Sequence, residues 1–165
     1  MITQVLDKEK YKATILYLLN AIGEIKGKKK SYKLLYFLDF DFFEAYDKSF
    51  LGETYKSLPM GPAPVYFDAV INEMKEEGMV EIRKARMSPK YENDTVVFVP
   101  KIKSKYDFTR QEKQMLDRIV RKYGASTGTD LEKLSHSEAP YNSVELFQII
   151  PYEYATYRDT PDLMS

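Results

Sequence analysis

Between Ser31 and Tyr46 the apolar residues Leu34, Leu35, Phe37, Leu38, Phe42 and Ala45 recur at helical spacing over a wide face. A helix with so wide an apolar face belongs at the centre of a core, not on its rim. The rest of the chain must therefore supply elements that wrap around it.

The flanking segments supply them. Asp7 caps a first helix expected over Lys8–Ile25, with Tyr11, Ile15, Leu18, Leu19 and Ile22 as its stripe. The basic break Lys26-Gly27-Lys28-Lys29-Lys30 separates the two helices. Residues 47–60 read as irregular chain with a short strand at Glu53–Ser57. Gly61-Pro62-Ala63-Pro64 then reads as the opening of a third helix, because a proline in the first turn forfeits no helical hydrogen bond. Its buried stripe is Val65, Phe67, Val70, Ile71 and Met74, and Gly78 stands where a left-handed C-terminal cap belongs.

After Gly78 the period changes from helical to alternating. Met79–Met87 and Thr95–Pro100 read as two strands of a β-hairpin around the turn-forming stretch Ser88–Asp94. Thr109-Arg110-Gln111-Glu112 is a capping box that starts a fourth helix, ended by Gly124. A short fifth helix is expected over Asp130–Ser135 with Thr129 as its cap, and a last one from Pro140 to about Phe147. The expected fold is thus mainly α with one β-hairpin (α+β). It is one domain over residues 1–159 with a frayed tail at 160–165. Three helices running into a hairpin is the order of a winged helix, an arrangement that serves both DNA and protein contacts.

Composition removes several function classes. With 25 Lys+Arg against 25 Asp+Glu, the chain has no basic surplus for coating nucleic acid. It has no Cys and one His, which excludes disulfides, thiolate metal sites and His-rich metal sites. No apolar run approaches the roughly 20 residues of a membrane helix, and MITQVLDKEK lacks the features of a signal peptide, so a cytoplasmic protein is expected. The 14 Tyr and 9 Phe, with no Trp, suit either a polar-rimmed contact surface or the margins of a small core.

His136, flanked by Ser135 and Ser137, is expected to hydrogen-bond a carbonyl and shape the turn before Pro140. Asp41 and Glu44 share one helical side, near Asp39 and Asp47, and read as a solvated face. A hydrolase would draw on His136 or the Asp41/Glu44 pair. Lys28, Lys29, Lys30 and Lys33, with Arg83, Lys84 and Arg86 on the hairpin, form the candidate nucleic-acid contacts. No phosphate loop or catalytic triad is present, so no enzyme and no cofactor is expected.

Four motifs, in order, resemble a known family. Lys30-Ser31-Tyr32-Lys33-Leu34-Leu35-Tyr36-Phe37 resembles the Lys-Leu-x-Lys-Leu-Leu-Tyr segment of the Panacea domain, found in SocA-like antitoxins and GepA-type phage-associated proteins, with Ser31 in place of Leu. Gly52, Tyr55 and Gly61-Pro62 resemble its Gly-x-x-Tyr…Gly-Pro stretch, with Met60 where an aromatic is commoner. Phe108-Thr109, Glu112 and Leu116-Asp117 resemble a later helix. Ser135-His136 and Pro140-Tyr141 resemble its [Ser/Thr]-His…Pro-Trp signature, with Tyr141 for Trp. The resemblance spans roughly residues 10–145. It implies a non-enzymatic antitoxin of bacterial stress or phage defence that neutralises a cognate toxin, usually encoded next to it, by direct protein binding. Tyr32, Tyr36, Tyr55, Tyr66, His136 and Tyr141 lie in or beside these motifs and are the candidate partner contacts. The alternative is a winged-helix regulator acting on promoter DNA.

Overall fold

The computed structural model describes residues 6–85 and 95–163. Helix α2, Lys28–Tyr46, is the axis, with Leu34, Tyr36, Phe37, Leu38 and Phe40 fully buried. Around it pack α1 (Lys8–Ile22), α3 (Phe67–Glu76), α4 (Arg110–Tyr123), α5 (Gly128–His136) and the single-turn α6 (Ala139–Asn142). A 3-10 helix, Tyr152–Tyr157, closes the core with Ala155 and the ring of Tyr152, which stacks on Phe43.

Helix α1 is capped by Asp7, whose side chain accepts from Lys10 N, but it stops at Gly23. The expected last turn is instead strand β1, Ile25–Lys26. It pairs with β5 (Thr95–Pro100), which pairs with β4 (Val80–Ala85), so the sheet order is β1-β5-β4, all antiparallel. The expected turn Ser88–Asp94 lies outside the described residues, as does Arg86.

The larger correction concerns Gly61-Pro62-Ala63-Pro64. This stretch is not a helix start but strand β3, paired in register with β2 (Tyr55–Leu58) as a second hairpin. Proline is tolerated because these amides are not needed: the register leaves them at an edge, and Pro62 contributes its carbonyl, not a donor. Helix α3 therefore begins at Phe67, and Val65 is exposed, not buried. The fold is α+β with two small antiparallel sheets rather than one hairpin.

The capping box at the head of α4 is present in full: Thr109 Oγ1 accepts from Glu112 N at 3.1 Å, and Glu112 accepts from Thr109 N at 2.8 Å. Glu112 is also ion-paired to Lys10 of α1. Thr109→Ala is expected to lower stability by about 1 kcal/mol, measured by equilibrium urea unfolding, because it orphans a first-turn amide. A change within error would mean the cap is already satisfied by solvent.

Helix α5 starts two residues early, capped by Thr127, not Thr129. The last helix is one turn long and ends before Phe147, whose φ of 70° no helix accommodates. At the C-terminal end of the described residues, Thr160 donates to Glu44 at 2.8 Å, and Arg118 donates to Asp162 O at 3.1 Å.

Candidate partner-binding surface

Three stretches far apart in sequence converge on the β2–β3 hairpin. Lys33 projects from α2 and donates to Pro62 O at 3.0 Å. Gly61, at φ 105°, lies so close that an added Cβ would stand 2.7 Å from Lys33 Cε and 2.9 Å from Ser135 Oγ. From the C-terminal side, His136 stacks on Tyr141 at 4.5 Å, and Tyr141 donates to Leu58 O at 2.8 Å. Lys33, Gly61-Pro62 and Ser135-His136…Tyr141 therefore form one clamp. It holds the hairpin so that Met60, at its tip, is 61% exposed.

The hairpin's second edge is also occupied. Ile149 bridges Lys56, Phe147 donates to Ser57 O at 2.5 Å, and Ile150 donates to Tyr55 O at 2.9 Å. Cross-strand partners share a face, so Ile149, Lys56 and Ala63 lie on one side of this sheet, with Leu58 and Gly61 two residues along. Phe147 is 63% exposed and held at a positive φ that an aromatic side chain adopts only under constraint. Between the hairpin and the start of α2 runs a groove of about 430 Å³, lined by Lys28, Lys29, Tyr32, Leu58, Met60 and Ala63 among others. This exposed apolar surface, braced from three sides, has the character of a contact surface.

The candidate contacts separate sharply. Tyr36 and Tyr55 are core residues with no surface to offer a partner. Tyr55 donates to Leu35 O at 2.8 Å and to Asp39 at 2.6 Å; Tyr36 donates to Glu138 at 2.8 Å. Tyr32 is half-buried, donates to Asp68 at 2.9 Å and borders the groove. Tyr66 is exposed, and its amide donates to Glu53 at 3.1 Å. His136 and Tyr141 support the hairpin from behind; His136 works by stacking, and its Nε2 is buried without a hydrogen-bond partner. Leu34, Leu35 and Pro140 are buried, and Gly52 turns the chain at φ 75°.

Most of the basic residues are engaged by acceptors of the protein itself. Lys28 pairs with Asp68 at 3.3 Å, Lys29 with Glu132 at 3.1 Å, and Lys30 donates to Gly124 O at 2.6 Å. On β4, Arg83 pairs with Glu81 at 2.9 Å, while Lys84 is exposed.

Asp41 is not on a solvated face. It is fully buried between Arg118 at 2.6 Å and Arg158 at 3.0 Å. Arg158 also reaches Glu44 at 3.2 Å and Glu138 at 3.0 Å. Asp39 is likewise buried, accepting from Leu51 N at 2.5 Å, and burial pushes its carboxyl up to about 7. Asp41 and Glu44 are thereby committed to arginines, so they do not offer free carboxylates for acid–base work. Among the described residues no group of three or more His, Asp or Glu is placed to hold a metal ion.

Sequence reasoning took Met60 only as a motif position and gave no role to Phe147, Ile149 or Arg158. Met60 and Phe147 carry no periodic signal, and a lone Arg at the end of the domain gives no indication of its partners.

Lys33 makes a testable claim on pH. Burial lowers its ammonium to about 8 from an ordinary value near 10.5. Below pH 8 both folded and unfolded states carry the proton and the burial penalty is fully present. Between about pH 8 and 10.5 the folded state has lost a proton that the unfolded state keeps, so stability from this group rises with pH. The full span is worth roughly 3 kcal/mol. Unfolding curves at about pH 8 and 9.5 are expected to show a gain for the wild type that Lys33→Met lacks. Equal slopes for both proteins would assign the titration elsewhere.

Comparison with known protein families gives a match over residues 32–141, more than half the chain, to the SocA-like antitoxins of the Panacea domain. No curated protein and no solved structure matches the chain. Among the described residues no helix is long and apolar enough to cross a membrane.

Proposed function

Because the chain belongs to the SocA-like antitoxin family built on the Panacea domain, we propose that it neutralises a cognate toxin, encoded beside it, by direct binding. It acts as a cytoplasmic binding protein rather than an enzyme and needs no cofactor. The observation that carries this reading is the clamp of Lys33, Gly61-Pro62, His136 and Tyr141. These motif residues spend their interactions on one hairpin, and that hairpin presents Met60 and the neighbouring Phe147 and Ile149 to solvent. A catalytic site would instead aim its polar groups at a cavity. An ordinary interface buries roughly 1,600 Å² and rests on a few anchors, which such a surface supplies.

The test is bacterial growth. Inducing the neighbouring gene alone is expected to stop colony formation, and co-expressing this protein to restore it. A harmless neighbour, or toxicity that persists on co-expression, would overturn the reading.

A second reading, DNA binding in the manner of a winged helix, draws support from the sheet order β1-β5-β4 with β1 between the first two helices. It is weakened by α3, whose outer side carries Asp68, Glu73 and Glu76 where phosphates would lie. Promoter binding that weakens steeply with salt would favour it; none at low salt would remove it.

A further inference from the structure

We propose that the groove between the β2–β3 hairpin and the start of α2 seats a large apolar side chain from an acidic segment of the partner, with the segment's carboxylates facing Lys28 and Lys29. This deepens the neutralisation reading, and depends on it only in taking the partner to be a toxin.

Three observations select this occupant. The groove floor is apolar, formed by Tyr32, Leu58, Met60 and Ala63, and its volume of about 430 Å³ admits a large side chain. Every charged side chain lining it is a lysine: Lys28, Lys29 and, at its base, Lys33. Lys56, on the adjoining strand and exposed, has the same sign. Finally, the field of α2 adds to this charge. Its positive end opens at Gly27, which caps it with no side chain, and its first turn carries no acidic residue. An anion there is favoured by the dipole and by the lysines together.

The existing ion pairs do not cancel this. Lys28 and Asp68 are 49% and 51% exposed in their pair, and exposed pairs hold side chains only weakly, whereas the Lys29–Glu132 pair is partly buried. The Lys28 ammonium can turn to an incoming carboxylate, and Lys29 adds its positive charge from the position its pair holds. A nucleic-acid backbone would also be drawn by the lysines, but the floor between them is an apolar recess, which a phosphate backbone does not fill and an apolar side chain does.

The experiment uses the full chain immobilised as bait for a phage-displayed library of random dodecapeptides. Recovered peptides are expected to carry Leu, Phe or Met close to at least two carboxylates. Their binding should weaken at least tenfold on Met60→Asp and on the double variant Lys28→Glu/Lys29→Glu, and should fall with salt. The milder Lys28→Gln/Lys29→Gln protein, with an unchanged unfolding temperature, should bind weakly and without that salt dependence. No enrichment over a blank surface, peptides lacking carboxylates, variants that bind equally well, or displacement by a random-sequence DNA duplex would each overturn the proposal. The growth assay separates the two claims. Full rescue by Lys28→Glu/Lys29→Glu would overturn the groove assignment and leave neutralisation standing. Failure of the wild type to rescue would overturn neutralisation, while the peptide result would still decide the groove.

Discussion

Asp41→Ala is expected to lower stability by about 3–5 kcal/mol, because it removes the counter-charge of two buried guanidinium groups at once. Arg118 and Arg158 are 3% and 5% exposed, and both point at this carboxylate. Arg118 forms an aligned hydrogen bond to Oδ2, whereas the approach of Arg158 to Oδ1 is an ion contact without hydrogen-bond alignment. Without Asp41, Arg158 keeps the carboxylates of Glu44 and Glu138, whereas Arg118 keeps the carbonyl of Asp162. The loss is a large share of the 5–15 kcal/mol that holds a typical domain, and corresponds to a fall of about 10 °C in melting temperature. Asp41→Asn retains an acceptor without charge and is expected to fall between the two. Differential scanning calorimetry of the three proteins checks the order. A loss under about 1 kcal/mol for Asp41→Ala would mean that water reaches the arginines and that the cluster is not sealed. The same staple joins the tail to α2, α4 and α6, so protease cleavage after Arg158 should accelerate in the variant.

Gly61→Ala is expected to cost about 2–4 kcal/mol and to abolish the growth rescue proposed for the wild type. Two causes contribute. The φ of 105° is strained for any residue with a Cβ, worth about 1–2 kcal/mol. The new methyl also has nowhere to go, with Lys33 Cε at 2.7 Å and Ser135 Oγ at 2.9 Å. Gly23→Ala separates these causes, because Gly23 has a φ of 102° but nothing within 4 Å of an added Cβ. The excess cost of Gly61→Ala over Gly23→Ala, read from urea unfolding, is the steric part. If the two variants were equally stable, the hairpin would be yielding without loss and the clamp would not be rigid. The functional arm follows the same logic: Gly23→Ala should rescue growth, and Gly61→Ala, whose hairpin must move, should not.

Much of this protein was legible residue by residue. The apolar periodicity of Ser31–Tyr46 placed α2 at the centre because no solvated helix tolerates such a face. The switch of period after Gly78 located β4 and β5, and the capping box located α4 to the residue. These are local signals, set by one turn of backbone and its nearest side chains. The ordered motifs identified the family for the same reason.

What failed was decided by partners distant in sequence. Gly61-Pro62-Ala63-Pro64 has a helix-opening composition, yet it forms a strand because β2 offers paired carbonyls and amides and Lys33 claims the Pro62 carbonyl. Ile25 leaves α1 for a sheet because β5 lies beside it. Tyr36 and Tyr55 look like surface tyrosines, but their hydroxyls find Glu138 and Asp39 inside, and a satisfied hydroxyl no longer needs solvent. Asp41 reads as solvated on its own helix and is buried because two arginines far along the chain, Arg118 and Arg158, arrive to neutralise it. By itself the sequence determined the bodies of α1, α2 and α4, the apolar stripes that they bury and the family the chain belongs to. The contact surface, its lysine-edged groove and the buried charge cluster exist only once α2, the hairpin and the C-terminal segments meet, since hydrogen-bond and charge satisfaction in a core is a property of the assembled neighbours and not of any one stretch of chain.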